Sequence, residues 1–290
     1  MREMSLERVR KRIAASLLAL RRTAFYLLVA AIVLVSVFPL YYAIVTSFSN
    51  GTQVYIPYYL PPSLDLTNFS EAVGRARILP AIVNSLFVAT AVVAVAMTLA
   101  LFAAYAFARV QFRFRRVLLF AILLTTVFPQ VAILAGLFEL MRRFELYNSL
   151  WAIILSYLPL LVPFTVWLMT AYMRALPGEL EDVAIIDGAS PTTILTRIFL
   201  PLLWPAVVAT GLIAFIAAWN EFLFAFTLAV SESNRTSSVA IALIWGYTPH
   251  DTPWGTIMAA SVLVTIPVVF IVLVFQRRMI DGLTAGAVSG

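Results

Sequence analysis

Acid–base chemistry in this chain rests on few groups besides its arginines and tyrosines: 14 carboxylates, one histidine, one lysine and no cysteine. Without cysteine there are no disulfides, no thiolate nucleophile and no cysteine-based metal site. His250 alone cannot build a His-rich metal centre or a Ser-His-Asp arrangement, and it reads as ordinary loop polarity. Lys11 is the only lysine and lies far from any glycine-rich turn, so no Walker A loop is present to hold nucleotide phosphates. Neither a catalytic set nor a metal is expected.

Two carboxylate positions remain informative. Glu179, Glu181 and Asp182 follow Pro177 within two turns, where proline and negative charge both suit a helix N-terminus. Gly188 then breaks the segment, Ser190-Pro191 restarts it, and Leu200-Pro201 leads into an apolar run. Residues 177–201 therefore read as helix, turn, helix. The second position is Trp219-Asn220-Glu221, inside an apolar stretch. A carboxylate there is costly unless it faces a cavity or partner, which favours a pathway or gate role. A packing hydrogen bond made by Asn220 and a neutral Glu221 is the competing reading. Glu139 falls at the outer interface, where it is solvated.

The elements that must position these groups are membrane spans. Hydrophobic residues make up 62% of the 290-residue chain and charged ones only 12%, too little polar surface for a soluble globule of this length. The net charge of +6 comes from arginines at the ends of apolar runs rather than from one stripe, so nucleic acid is not a partner. Runs long enough to cross a bilayer occur near 23–46, 81–108, 117–140, 150–173, 203–228 and 254–275. Six spans put both termini on one side. The arginines of the N-terminal tail, of 109–116, Arg174, Arg197, Arg277 and Arg278 share that side, which the positive-inside bias makes cytoplasmic. Arg142 and Arg143 run against the trend.

The expected division is a basic tail (1–23), a first span with its outer loop (24–80), a five-span core (81–276) containing 177–201, and a C-terminal tail (277–290). The tail before the first span reads as an orientation signal, with an amphipathic helix on the inner leaflet as the alternative. Pro39, Pro129, Pro159, Pro163 and Pro267 lie within spans, as kinked, crowded helices would have them. Tyr55, Tyr58 and Tyr59 in the first outer segment suit an interfacial aromatic belt better than a sugar platform. Residues 229–253 read either as a re-entrant or partner-contacting loop or as a linker.

Asp182-Val183-Ala184, Gly188, Ile198, Leu200 and Pro201 stand at the spacing E-A-A-x3-G-x9-I-x-L-P. The segment thereby resembles the EAA loop of ATP-binding-cassette importer permeases. ELEDVAIIDGAS, WNEFLFAFTL, NSLFVA with AYAFARVQF, and GLTAGAVSG resemble the maltose/trehalose-type carbohydrate subfamily, a likeness running from about residue 60 to 290. It implies an all-α polytopic protein with six transmembrane helices, the type I importer fold, in a bacterial or archaeal cytoplasmic membrane. It also implies a coupling helix that contacts an ATPase through Glu179, Glu181, Asp182, Val183, Ala184, Ile186, Asp187, Gly188, Ala189, Leu200 and Pro201.

The implied partners are a second homologous permease, two copies of an ATPase subunit that bind ATP and Mg in place of this chain, and an extracytoplasmic sugar-binding protein reached through 229–253, including Trp245, Gly246 and Tyr247. Two departures stand out. The leading glutamate is Asp182 and the first alanine is Val183, and the shorter acid keeps the charge with less reach, so an ion pair to the ATPase is either rearranged or carried by Glu181 instead. The helix at 178–187 carries apolar residues around most of its circumference, which calls for burial in a partner. Readings outside the family are an ion-coupled carrier or channel using Glu221 and Glu139, and a membrane scaffold or receptor docking through the same loop.

Overall fold

Backbone crossing hydrocarbon must satisfy its own hydrogen bonds, and among the described residues the regular structure is helical throughout. The computed structural model describes residues 2–50, 56–61, 63–244 and 252–287, with side chains at 18, 20–50, 56–61, 63–244 and 252–276. Trp245, Gly246, Tyr247, His250 and Tyr55 lie outside the described residues. The long helices are α1 (Arg2–Ser47), α3 (Ile78–Arg109), α6 (Leu150–Ala175), α10 (Trp204–Asn220) and α13 (Trp254–Ala287). Between them stand α2 (Thr67–Gly74), α4 (Arg115–Leu124), α5 (Gln130–Arg143), α7 (Glu179–Ile186), α8 (Pro191–Thr193), α9 (Leu200–Leu202), α11 (Leu223–Leu228) and α12 (Ser237–Ala242).

Among the described residues, four helices are long and apolar enough to cross a membrane by themselves, and two bent pairs raise the number to six if each counts as one span. In the first pair, α4 and α5 meet at 94°. The break falls at Pro129, after a 3-10 turn at Thr125–Val127 and an extended Phe128, the backbone that a following proline imposes. The prolines Pro39, Pro159, Pro163 and Pro267 lie inside continuous helices. In the second pair, Pro191–Leu202 meets α10 at 81°, with Pro205 in the first turn of α10, where its missing N–H costs nothing. The fifth span, expected to run to residue 228, ends at Asn220: Glu221 is extended, and only the short α11 follows. Basic residues at 2–12 continue into α1 without a break, and α13 runs past Gln276 to Ala287, so neither tail is separate from its helix.

The chain divides into two compact units, 1–69 with 254–262, and 70–253 with 263–290. In the smaller unit, the buried Asn68 amide donates to the Ser47 and Ser49 carbonyls, and Thr256 donates to its oxygen. A Cβ on Gly255 would stand 2.5 Å from the Asn68 side chain, so glycine is what lets α13 approach there.

The larger unit is built on α3 against α6. Ala89, Ala96, Ala100 and Ala104 are fully buried along one face of α3, and such small residues let backbones come close where lipid provides no hydrophobic drive. Met97, Phe107, Val166, Met169 and Met173 fill the contact, and Ala184, Ile194, Leu195 and Phe199 from residues 177–201 join the same core.

Candidate functional site

At 32 residues, α3 is ~48 Å long, well beyond a ~30 Å hydrocarbon core. Its last turns carry Tyr105 and Arg109 to the end of the unit where α6 stops and α7 begins. There Arg109 Nη2 donates to the carbonyls of Met173 (3.0 Å) and Leu176 (2.7 Å) at the C-terminal end of α6. Its Nε stands 3.6 Å from Glu181 Oε2, while the Tyr105 hydroxyl donates to Glu181 Oε1 at 2.7 Å. The Arg109 guanidinium also lies 5.0 Å over the ring of the fully buried Phe199.

Around this ion pair, α7 presents two unlike faces. Ala184 is 5% exposed and Glu181 is turned inward, whereas Val183, Ile185 and Ile186 are 57%, 57% and 83% exposed. Glu179, Asp182 and Asp187 are exposed as well. The helix ends at Gly188, whose φ of +78° is left-handed backbone that glycine adopts without strain. Ser190 then caps the restart, its hydroxyl accepting from Thr193 N–H, and Pro191 opens α8. Ile194–Phe199 is wound as a π-helix before α9, and Leu200 is half-buried with Pro201 exposed. Thus the structure brings Glu181, Ala184 and Ala189 to the core side of the loop, half-buries Leu200, and leaves Glu179, Asp182, Val183, Ile186, Asp187, Gly188 and Pro201 on its surface. Glu181 pairs inward with Arg109, and Glu179, Asp182 and Asp187 are the acids that face out.

Glu221 sits in a different setting. Its carboxyl oxygens accept from the N–H groups of Phe224 (2.9 Å) and Ala225 (3.3 Å), the first turn of α11. Its backbone carbonyl accepts from the Ser238 and Tyr157 hydroxyls. Trp219 is buried against Phe215, and the Asn220 amide donates to its own helix at Ile216. These three residues join two helix ends. The loop that follows α11 is held by α3, since Asn84 donates to the Ser233 and Arg235 carbonyls and Ser85 accepts from Ser237 N–H. Asn148, in left-handed backbone, closes the loop by contacts to Leu228, Ser231 and Asn234. The described part of 229–253 is therefore a packed turn, and the linker reading does not apply to it.

Sequence reasoning passed over Arg109, Tyr105, Asn84 and Asn148 as individual residues, although AYAFARVQF and NSLFVA contain the first three. A basic residue in the last turn of a span reads as a topology signal, and nothing local tells that its head folds back into the protein. An apolar cavity of ≈ 390 Å³ among Val93, Trp204, Val208, Leu212, Phe215 and Phe275 has Thr90 as its one side-chain hydroxyl, which suits no polyhydroxylated ligand.

Apolar helices long enough to cross a bilayer, with a braced polar segment at one end of α3 and α6, are the architecture of a multi-pass membrane protein. The chain belongs to the family of binding-protein-dependent transport system inner membrane components, whose model matches residues 96–284. It is 35% identical over 268 residues to the trehalose/maltose transport system permease protein MalG of Thermococcus litoralis, covering 91% of this chain and 96% of that one. It is 34% identical to the trehalose transport system permease protein SugB of Mycobacterium tuberculosis, over 80% of this chain and 84% of the relative. In fold it matches a chain of a bacterial ABC transporter that imports the acidic polysaccharide alginate, with a TM-score of 0.74, 24% identity, and coverage of 88% and 94%. The chain is a multi-pass membrane permease subunit of the ABC importer class.

Proposed function

We propose that this permease forms the translocation path of an ATP-driven carbohydrate importer together with a second homologous permease. Two copies of an ATPase subunit, which bind ATP and Mg, would drive it from the cytoplasmic side, and an extracytoplasmic sugar-binding protein would deliver the substrate. The observation that carries this reading is the two-faced α7. A helix fastened to its own protein on one side and apolar on the other is seated in a partner's groove, because among the described residues none covers Val183, Ile185 and Ile186. The arginine bias places that groove where ATP is available. Exposed Asp182 supplies the outward charge beside those apolar residues. Closure of the ATPase dimer then displaces α7 and, with it, the ends of α3 and α6.

Reconstitution of the assembled complex in liposomes tests this. Trehalose, maltose, diacetylchitobiose and sulfoquinovosyl glycerol form the substrate panel, taken from the names of similar permeases. One of them should stimulate ATP hydrolysis and accumulate inside when the binding protein is present. Gly188→Pro, which cannot adopt the positive φ at that turn, should keep hydrolysis and lose uptake, while Asp182→Glu should retain both. Uptake without an ATPase subunit, or normal coupling in the Gly188→Pro complex, would overturn the proposal.

A further inference from the structure

Only three residues, 176–178, connect α6 to α7, and Leu176 is extended. Such a link passes tension but resists rotation poorly. Besides the burial of Ala184 and the Tyr105 hydrogen bond, α7 is held in orientation by an arginine from another helix. Arg109 caps the α6 carbonyls through Nη2, faces Glu181 of α7 through Nε, and lies over Phe199 of the π-helical segment. One guanidinium thus joins the end of α3 to three further segments. Its Nη1 also comes within 4.0 Å of where a Cβ on Gly178 would stand, against the link itself.

We infer that Arg109 is a positioning residue that fastens the coupling helix to the membrane helices, so that displacement of α7 reaches α3 and α6 through the Arg109–Glu181 pair. This rests on the reading of α7 as the ATPase-contacting helix. The pair is well suited to the role. Side-chain exposures of 13% and 16% keep it largely out of water, where its attraction is weakly screened. Its Nε is buried without a hydrogen-bond partner, and at 3.6 Å the contact is an ion pair rather than a hydrogen bond. Closing to the ~2.8 Å of a charge-assisted hydrogen bond takes less than one ångström of motion. The attraction of the pair resists separation, so a pull on α7 is also a pull on α3. Tyr105 steers the same carboxylate from one turn earlier on α3, so Glu181 is held at both oxygens.

The test uses the whole reconstituted transporter and reads sugar moved per ATP hydrolysed, a ratio that a loss of folded protein leaves unchanged. Arg109→Gln should assemble, hydrolyse ATP at or above the wild-type rate, and lower the ratio roughly tenfold, within the range of mutations along coupling networks. Arg109→Lys keeps the charge but not the planar fork and should recover part of the ratio. If Arg109→Gln fails to assemble, Glu181→Gln decides, because it preserves shape and the contact to Tyr105 while removing the charge. An unchanged ratio in whichever variant assembles overturns the inference. Ile186→Asp, on the outer face of α7, separates the two levels. If it leaves hydrolysis and uptake intact, the coupling reading fails; if it disrupts them while Arg109→Gln is normal, only the fastening fails.

Discussion

Glu181 and Glu221 are both half-buried acids beside a helix break in an apolar chain, and they are used in opposite ways. Glu221 is bound by backbone N–H groups three and four residues further on, so it organises only its own turn. Glu181 is bound by Tyr105, 76 positions away, and by Arg109, so it joins segments that the chain itself does not keep together. A carboxylate satisfied locally makes a cap; one satisfied across helices makes a joint. Removal of the first should loosen one turn, and removal of the second should release a lever.

The sharpest way to break this contrast is to truncate both acids. Glu181→Ala leaves Arg109 largely buried without its counter-charge and should lower the stability of the permease in detergent by about 3 kcal/mol, the low end for a broken buried pair. Glu221→Ala loses only a cap and should cost about 1 kcal/mol, with thermal unfolding of the two purified variants as the measurement. Equal losses would erase the distinction. The comparison is sharpened further if Glu221→Gln transports normally at every pH, as a cap permits and an ion-coupling site does not.

The smallest effect is expected at Asp65. Its carboxyl is held below the ordinary value of 3.8 by the Thr67 hydroxyl first, then the Thr67 N–H, with a further contribution from Asn50. A depressed acid stabilises the folded state above its unfolded pKa, and the contribution disappears as pH falls through the lower folded value. Loosening at the start of α2, read by amide exchange, should therefore be confined to pH below about 4. A loosening already complete at pH 6 would contradict it.

Much of the architecture was readable before the structure because hydrocarbon thickness imposes a length on any spanning helix. Residues 23–46, 81–108 and 150–173 fall inside α1, α3 and α6 for that reason. Breaks were less readable. Pro39, Pro159, Pro163 and Pro267 resemble Pro129 in sequence, yet only Pro129 stands at a sharp bend, since a proline breaks a span only where neighbours leave the freed carbonyls and the turn geometry unsupported. Trp219-Asn220-Glu221 was legible as unusual, and its use as a junction between helix ends was not.

By itself, then, the sequence determined the helical class, the number of apolar runs, the lack of a Walker A spacing and the spacing of the 177–201 segment, because each depends on composition or on distances along the chain. The tertiary structure alone decided which acid of that segment turns inward. Glu179, Glu181 and Asp182 are equivalent as a charged first turn, and only the arrival of Arg109 and Tyr105 from a distant helix end selects Glu181. Helix orientation follows from which face finds a partner, and that partner is fixed by packing rather than by neighbours in sequence.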